Sequence, residues 1–183
     1  LDLDELFGTV RISADDLPGG QDVWYHLLPG TPSEPGPVLI ITCHVDAFFR
    51  RRPLKTTTGP APAVWEHMAA PENEEARDEK DFSLERTDSF LHHHLLTVAD
   101  LWSGRLAGDE IPAHLAEAFA VVWAVAVDGR LVRRHLPGYP MAERRGWFSA
   151  RFSLAGILLP EHWQIFQALW DGALEGQTAI LRV

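Results

Sequence analysis

The chain has 183 residues, 46% of them hydrophobic, with a net charge of −10 when its histidines are neutral; that length suits one domain with a real core, and the acidic balance argues against general binding to nucleic acid or to an anionic membrane. Its single cysteine, Cys43, excludes an internal disulfide and fits a reducing, cytoplasmic setting. No apolar run reaches the roughly 18 residues of a membrane-spanning helix, and the first residues, LDLDELFG, lack the basic start and apolar stretch of a signal peptide.

In chain order, Leu1 to Leu6 reads as a short helical turn, and Thr9 to Ser13 alternates like a half-buried strand. Asp15 to Gly20 is turn chemistry. Asp22 to Leu28 is a second strand, Pro29 to Pro37 an exposed loop, and Val38 to Val45 (VLIITCHV) a central strand, apolar throughout. Strands two and three form a long-loop antiparallel pair. At the end of the third, His44 and Asp46 stand two apart and so share a sheet face. Such a pair serves in metal and acid–base sites, because a carboxylate orients an imidazole; a strand end meeting solvent is the commoner outcome. Cys43 faces the other way as a small buried hydrophobe. Arg50, Arg51, Arg52 and Lys55 make a basic cluster, either solvated or gripping a phosphate or acidic partner. Pro53 to Ala63 is linker-like, and Val64 to Ala69 a short helical turn. Pro71 to Asp81 (PENEEARDEKD) has almost nothing to bury and reads as a mobile loop or exposed helix. The chain is expected to form a single domain over 1–183, with a mobile acidic insert at 70–82.

Ser83 to Ser103 (SLERTDSFLHHHLLTVADLWS) is an amphipathic helix capped by Ser83. Leu84, Leu91, Leu95, Val98 and Trp102 form its apolar stripe. Arg86, Ser89, His93, Thr97 and Asp100 lie on the opposite side, flanked by His92 and His94. After a loop at Gly104 to Asp109, the trio Asp109, Glu110 and Pro112 starts the next helix. Ala113 to Val127 reads as buried helix, although its β-branched run also suits a strand. His114 belongs at the surface. Asp128-Gly129 ends the helix as a turn. Arg130, Arg133, Arg134, Arg144 and Arg145 make a second basic group that pairs with acids or binds a carboxylate. Pro137 to Pro140 is a rigid loop, followed by a helix over Ala142 to Phe152 with Trp147 and Phe148 inward. Pro160 and Glu161 open the last helix, with Trp163, Phe166 and Trp170 on one face, and Thr178 to Val183 is a terminal strand that joins the sheet. The fold class is therefore α+β: a small, mainly antiparallel sheet packed against a helical C-terminal half.

The histidine run carries the functional question. Two imidazoles four residues apart on a helix can share a zinc ion, with a glutamate beside the first as general base. Here adjacent histidines diverge by about 100° around the axis. FLHHHLLTVADL, followed by WAVAVDGRLVRRHLPG, nevertheless resembles a bacterial zincin-like family of metallopeptidases. That family's patterns are L-R-H-E-L-L-H-V-x-D-M-L-D and W-x-x-x-x-D-x-R-L-x-R-x-G. Leu91, His93, Leu95, Leu96, Val98 and Asp100 match the first; Trp123, Asp128, Arg130, Leu131 and Arg133 match the second. His94 stands in place of the catalytic glutamate and Thr97 in place of the second zinc-binding histidine. The resemblance thus implies a zincin-like fold whose catalytic pair is gone, with no catalytic residue and no cofactor. Such a domain binds a protein or peptide partner in the former cleft, lined by His93, His94, Thr97 and Asp100. Under the same resemblance Asp128 is a third metal ligand rather than a turn residue. An alternative is a metal-dependent hydrolase with a rearranged zinc site of His93, His94 and Asp128, joined by His44 or Asp46. A further alternative is a purely structural or interaction domain. No P-loop, G-x-S-x-G or G-x-G-x-x-G pattern is present.

Overall fold

In the computed structural model, residues 7–15, 23–33, 35–51, 80–107, 111–153 and 157–182 are described. The expectations for 1–6, 16–20 and 52–79, and for Asp109 and Glu110, lie outside them. The protein is α+β. Strands β1 (Thr9–Ala14), β2 (Val23–Leu28) and β3 (Val38–Cys43) form one sheet in the order β1-β3-β2. β2 runs antiparallel to β3, the connection at 29–37 being short for a parallel crossover, with Tyr25 opposite Ile41. β1 runs parallel to β3, with Val10 beside Leu39 and Ile12 beside Ile41, so the sheet is mixed. β3 is central because its residues are apolar on both faces. Leu39, Ile41 and Cys43 are fully buried and face the helices.

Two strand expectations need correction. β3 stops at Cys43, and His44 does not share a sheet face with Asp46. His44 instead caps a short 3-10 turn, Val45–Phe48, its Nδ1 accepting the Asp46 N–H at 3.2 Å. The segment at the end of the acidic run is also not a loop. Lys80–Phe82 (β5) pairs antiparallel with Phe49–Arg51 (β4), and the Phe49 and Phe82 rings meet edge-on.

The helices follow: α1 (Leu84–Trp102), α2 (Ala116–Arg133), α3 (Met141–Phe152), α4 (Pro160–Asp171) and the short α5 (Gln177–Ile180). Ser83 caps α1 by accepting the Arg86 N–H at 3.2 Å. The β-branched run at 121–127 is helical, overridden by burial on several sides in a cluster with Phe148, Phe166, Leu169 and Trp170. No helix among the described residues is long and apolar enough to cross a membrane.

α1 is the middle layer. Phe90 and Val98, with Leu91 and Leu95 beside them, pack against Leu39, Ile41 and Cys43 of the sheet. Leu96 joins the cluster on the other side, with Phe119, Trp123 and Leu131 of α2. The ends of the expected apolar stripe, Leu84 and Trp102, are exposed, because the sheet covers only the centre of the helix.

Three helical expectations also change. Thr178 to Arg182 is not a strand: Ile180 of α5 is buried in the helical core, and the Gln177 side chain accepts the Ala107 N–H at 2.7 Å, tying this end to the helices. Trp147 faces outward while Phe148 is buried. Asp128-Gly129 does not end α2, which runs on to Arg133. Gly129 is a packing residue. A Cβ there would stand 2.8 Å from the Cα of Trp170 and closer still to its carbonyl oxygen, so glycine lets α2 and α4 cross in contact. Gly129→Ala is expected to lower stability by about 1–3 kcal/mol. Gly146→Ala, in α3 where a Cβ meets nothing within 4 Å, should be neutral or stabilising by about 0.4–1 kcal/mol. Paired urea denaturation curves measure both.

Candidate functional site

The polar face of α1 is turned inward. Ser89, His93 and Asp100 are buried, and His94 and Thr97 half-buried. α1 therefore has buried residues on both sides, and its polar side needs partners, because an unpaired buried polar group costs about 1–3 kcal/mol.

The partners come from α2, α3 and the loop between them. Asp128, wholly buried on α2, is the centre. Its Oδ1 accepts from His93 Nδ1 at 3.0 Å and from the Tyr139 backbone N–H at 3.2 Å. Its Oδ2 accepts from Arg144 Nε of α3, which is itself buried. A carboxylate only accepts, so His93 carries its proton on Nδ1. The Arg144 guanidinium lies 4.4 Å from the centre of the Tyr139 ring, and that ring meets His93 edge-on at 5.6 Å. The Ser89 hydroxyl shares its proton between Glu85 O of its own helix at 2.9 Å and Gly138 O of the loop at 3.1 Å.

About two turns further along α1, the polarity reverses: α1 supplies the acid and α2 the base. Arg130 donates through both terminal nitrogens to Asp100, with Nη1 to Oδ1 at 2.9 Å and Nη2 to Oδ2. Arg105 reaches the same carboxylate at 3.7 Å. Arg86 and Glu143 form a half-buried pair at 3.4 Å between α1 and α3.

The three imidazoles point to three destinations. His92 donates from Nδ1 to Asp88 O at 2.8 Å on its own helix. His93 meets Asp128. His94 turns to the sheet, its Nδ1 2.7 Å from the Tyr25 hydroxyl and its ring 4.2 Å from Phe90. The Thr97 hydroxyl donates to His93 O at 2.9 Å.

Charge balance follows from burial. Burial pushes the Asp128 carboxyl up, but His93 and Arg144 outweigh it and hold it below the ordinary carboxylate range. Burial lowers the His93 imidazole against the opposing pull of Asp128, and Arg144 and Arg130 add to the lowering. Burial, then His93, then Arg144 drive His94 well below its usual value. Burial raises both tyrosines, Tyr139 to about 12 despite Arg144 and Arg86. At neutral pH the site thus holds neutral His93 and His94, ionised Asp128 and a guanidinium.

Of the residues marked in the sequence, the structure joins His93 with Asp128 and places His94 and Thr97 alongside. Asp100 joins Arg130 instead. His44 and Asp46 remain together at the 3-10 turn, 3.7 Å apart and partly exposed. Among the described residues, no three His, Cys, Asp or Glu side chains are arranged to hold a metal ion. Cys43 is buried, and burial raises its thiol. Sequence reasoning missed Tyr25 and Tyr139; it placed Arg144 in a basic group that pairs with acids, as it does, without identifying Asp128 as its partner. No family model, curated protein or solved structure matches the chain.

Removing the cation should be costly. Arg144→Leu leaves Asp128 buried without its counter-charge and is expected to lower stability by about 3–5 kcal/mol, read from denaturant midpoints. A pH dependence follows from the two lowered histidines. Below about 6.5 the unfolded chain takes up protons that folded His93 and His94 refuse, so stability is full above neutrality and falls as pH drops. Urea midpoints should therefore decline from pH 7.5 to 5.5, and His94→Gln should flatten that decline.

Proposed function

We propose that this chain is a non-catalytic relative of the zincin-type metallopeptidases, working in the cytoplasm by binding a protein or peptide partner rather than by hydrolysis. One observation carries this reading: the positions that would perform the chemistry are committed to internal bonds. His94, where a general-base glutamate would stand, is bonded to Tyr25. Thr97, at the second-ligand position, is bonded to the backbone of its own helix. Asp128, at the third, is neutralised by Arg144.

The donor set does not fit zinc. A guanidinium already holds one oxygen of Asp128, and its Nη2 lies 3.3 Å from His93 Nδ1. A dication at that place would stand beside a buried guanidinium, and the two like charges would repel strongly at low dielectric. Because His93 and Asp100 are buried, the partner meets the surfaces around this cluster rather than the cluster itself.

The competing reading is a zinc hydrolase built on His93, His94 and Asp128. One observation favours it: His93 and Asp128 do meet. Metal analysis separates the two. Wild-type protein, purified and then equilibrated with one equivalent of zinc and desalted, is expected to retain far less than one zinc per chain. Stoichiometric zinc that disappears in His93→Ala would establish the hydrolase reading instead.

A further inference from the structure

β2 is an outer strand of its sheet. In the order β1-β3-β2, β3 covers one of its edges, and among the described residues no strand covers the other. β2 pairs with β3 residue for residue, from Val23 opposite Cys43 to Leu28 opposite Val38, without a bulge. In an antiparallel ladder, alternate residues turn their N–H and C=O groups away from the partner strand. The open edge of β2 is therefore a straight row of donors and acceptors that another strand can satisfy.

Sheet edges are commonly guarded by charge, proline or a bulge. The opposite edge strand, β1, carries Arg11 in its middle. β2, with the sequence VWYHLL, has no acidic residue, lysine, arginine or proline. Its Trp24, Leu27 and Leu28 are nonetheless exposed. The chain as a whole has a net charge of −10, so two copies repel each other. An edge without carboxylates is where they approach with least repulsion.

The faces of the sheet restrict how two such edges meet. Val23, Tyr25 and Leu27 lie opposite Cys43, Ile41 and Leu39, which face the helices, so Trp24, His26 and Leu28 are on the outer face. A two-fold axis perpendicular to the sheet joins two β2 strands antiparallel and keeps both α1 helices on one side. Inner residues then oppose inner residues. Centred on Tyr25, the pairing sets Trp24 against His26 of the second copy; centred on Leu27, it sets Trp24 against Gly30. Centred on His26, it sets Trp24 against Leu28 and Leu27 against Tyr25, each twice. In that register all three exposed apolar side chains gain an apolar neighbour across the strands, and such pairs are what stabilises a sheet. The two β3 strands then stand three strand spacings apart, about 14 Å. That leaves room for an α1 over each, since packed helices need about 8–10 Å.

We propose that this chain pairs with a second copy of itself, edge to edge through β2 and centred on His26, to make one continuous six-stranded sheet. Each copy covers the open β2 edge of the other, so the assembly closes at two. The pairing uses the rim of the sheet rather than the zincin-matched residues, and it stands with or without the partner-binding reading.

Analytical ultracentrifugation of the full chain should show a monomer–dimer equilibrium and nothing larger. His26→Lys sets two like charges at the axis and should weaken the dimer at least tenfold. Leu28→Lys, placed against Trp24, should do the same. Both positions are exposed, so each variant monomer should keep the native circular dichroism spectrum. Oxidation reads the register. The native Cys43 is buried and should give no cross-link. In His26→Cys the paired Cα atoms stand about 4.5–5.5 Å apart, within disulfide range, and a covalent dimer should form. In Leu28→Cys they stand about 14 Å apart, and none should form. A chain that stays monomeric up to about 1 mM, where even a millimolar Kd would show, overturns the proposal. So does an open series of larger species, a dimer that survives both lysine variants, or cross-linking as efficient in Leu28→Cys as in His26→Cys.

Discussion

The arrangement of the helices depends on one carboxylate that has no access to water. Leaving Asp128 buried and unpaired would cost several kcal/mol, so the chain must bring donors to both of its oxygens. Those donors sit on α1, on the loop after α2 and on α3. Satisfying one residue therefore fixes three segments against α2. The apolar contacts around it, Leu96, Leu131 and Phe148 among them, tolerate small slides of one helix on another; a carboxylate with three directional partners does not.

The second pair sharpens this. His93 and Asp100 are seven residues apart on α1, about 10.5 Å along the axis, and they meet an acid and a base on α2. A one-turn slip of α1 would strand Arg130 and leave both acids short of their partners. Reversed polarity along one interface selects a single register, as alternating charges do in paired helices. Buried ion pairs are weak sources of net stability, and specifying this register is the effect the geometry accounts for.

Much of this was legible beforehand, and the losses have a common cause. Local pattern located β1, β2, β3, the Ser83 cap and the helical identity of α1, α3 and α4, because alternation, capping and 3.6-residue spacing are properties of neighbouring residues. Pattern also put His93, Thr97 and Asp100 on one side of α1. It read that side as open, since polar residues usually meet solvent. What buries it is Arg144, 51 residues from His93, and no spacing rule connects the two. Asp-Gly was read as a turn for the same reason. The backbone of Trp170, which makes glycine necessary at 129 in mid-helix, is remote in sequence. The parallel partnership of β1 and the helical end at α5 are likewise set by tertiary packing, which overrides the modest preferences of a six-residue segment.

The residues this chain shares with the zincin pattern divide by role. His93, Asp100, Asp128 and Arg130 all match it, and they pair with one another across the α1–α2 interface. His94 and Thr97 depart from it, and theirs are the positions where chemistry would occur. The matching residues dock two helices, and the two departures are bonded to the sheet and to the backbone of α1. The register of the helix pair does not need a carboxylate at position 94, since Tyr25 supplies His94 with a partner from the sheet. With the sheet on one side of α1 and α2 and α3 on the other, the polar side of α1 is committed to the interior of the fold.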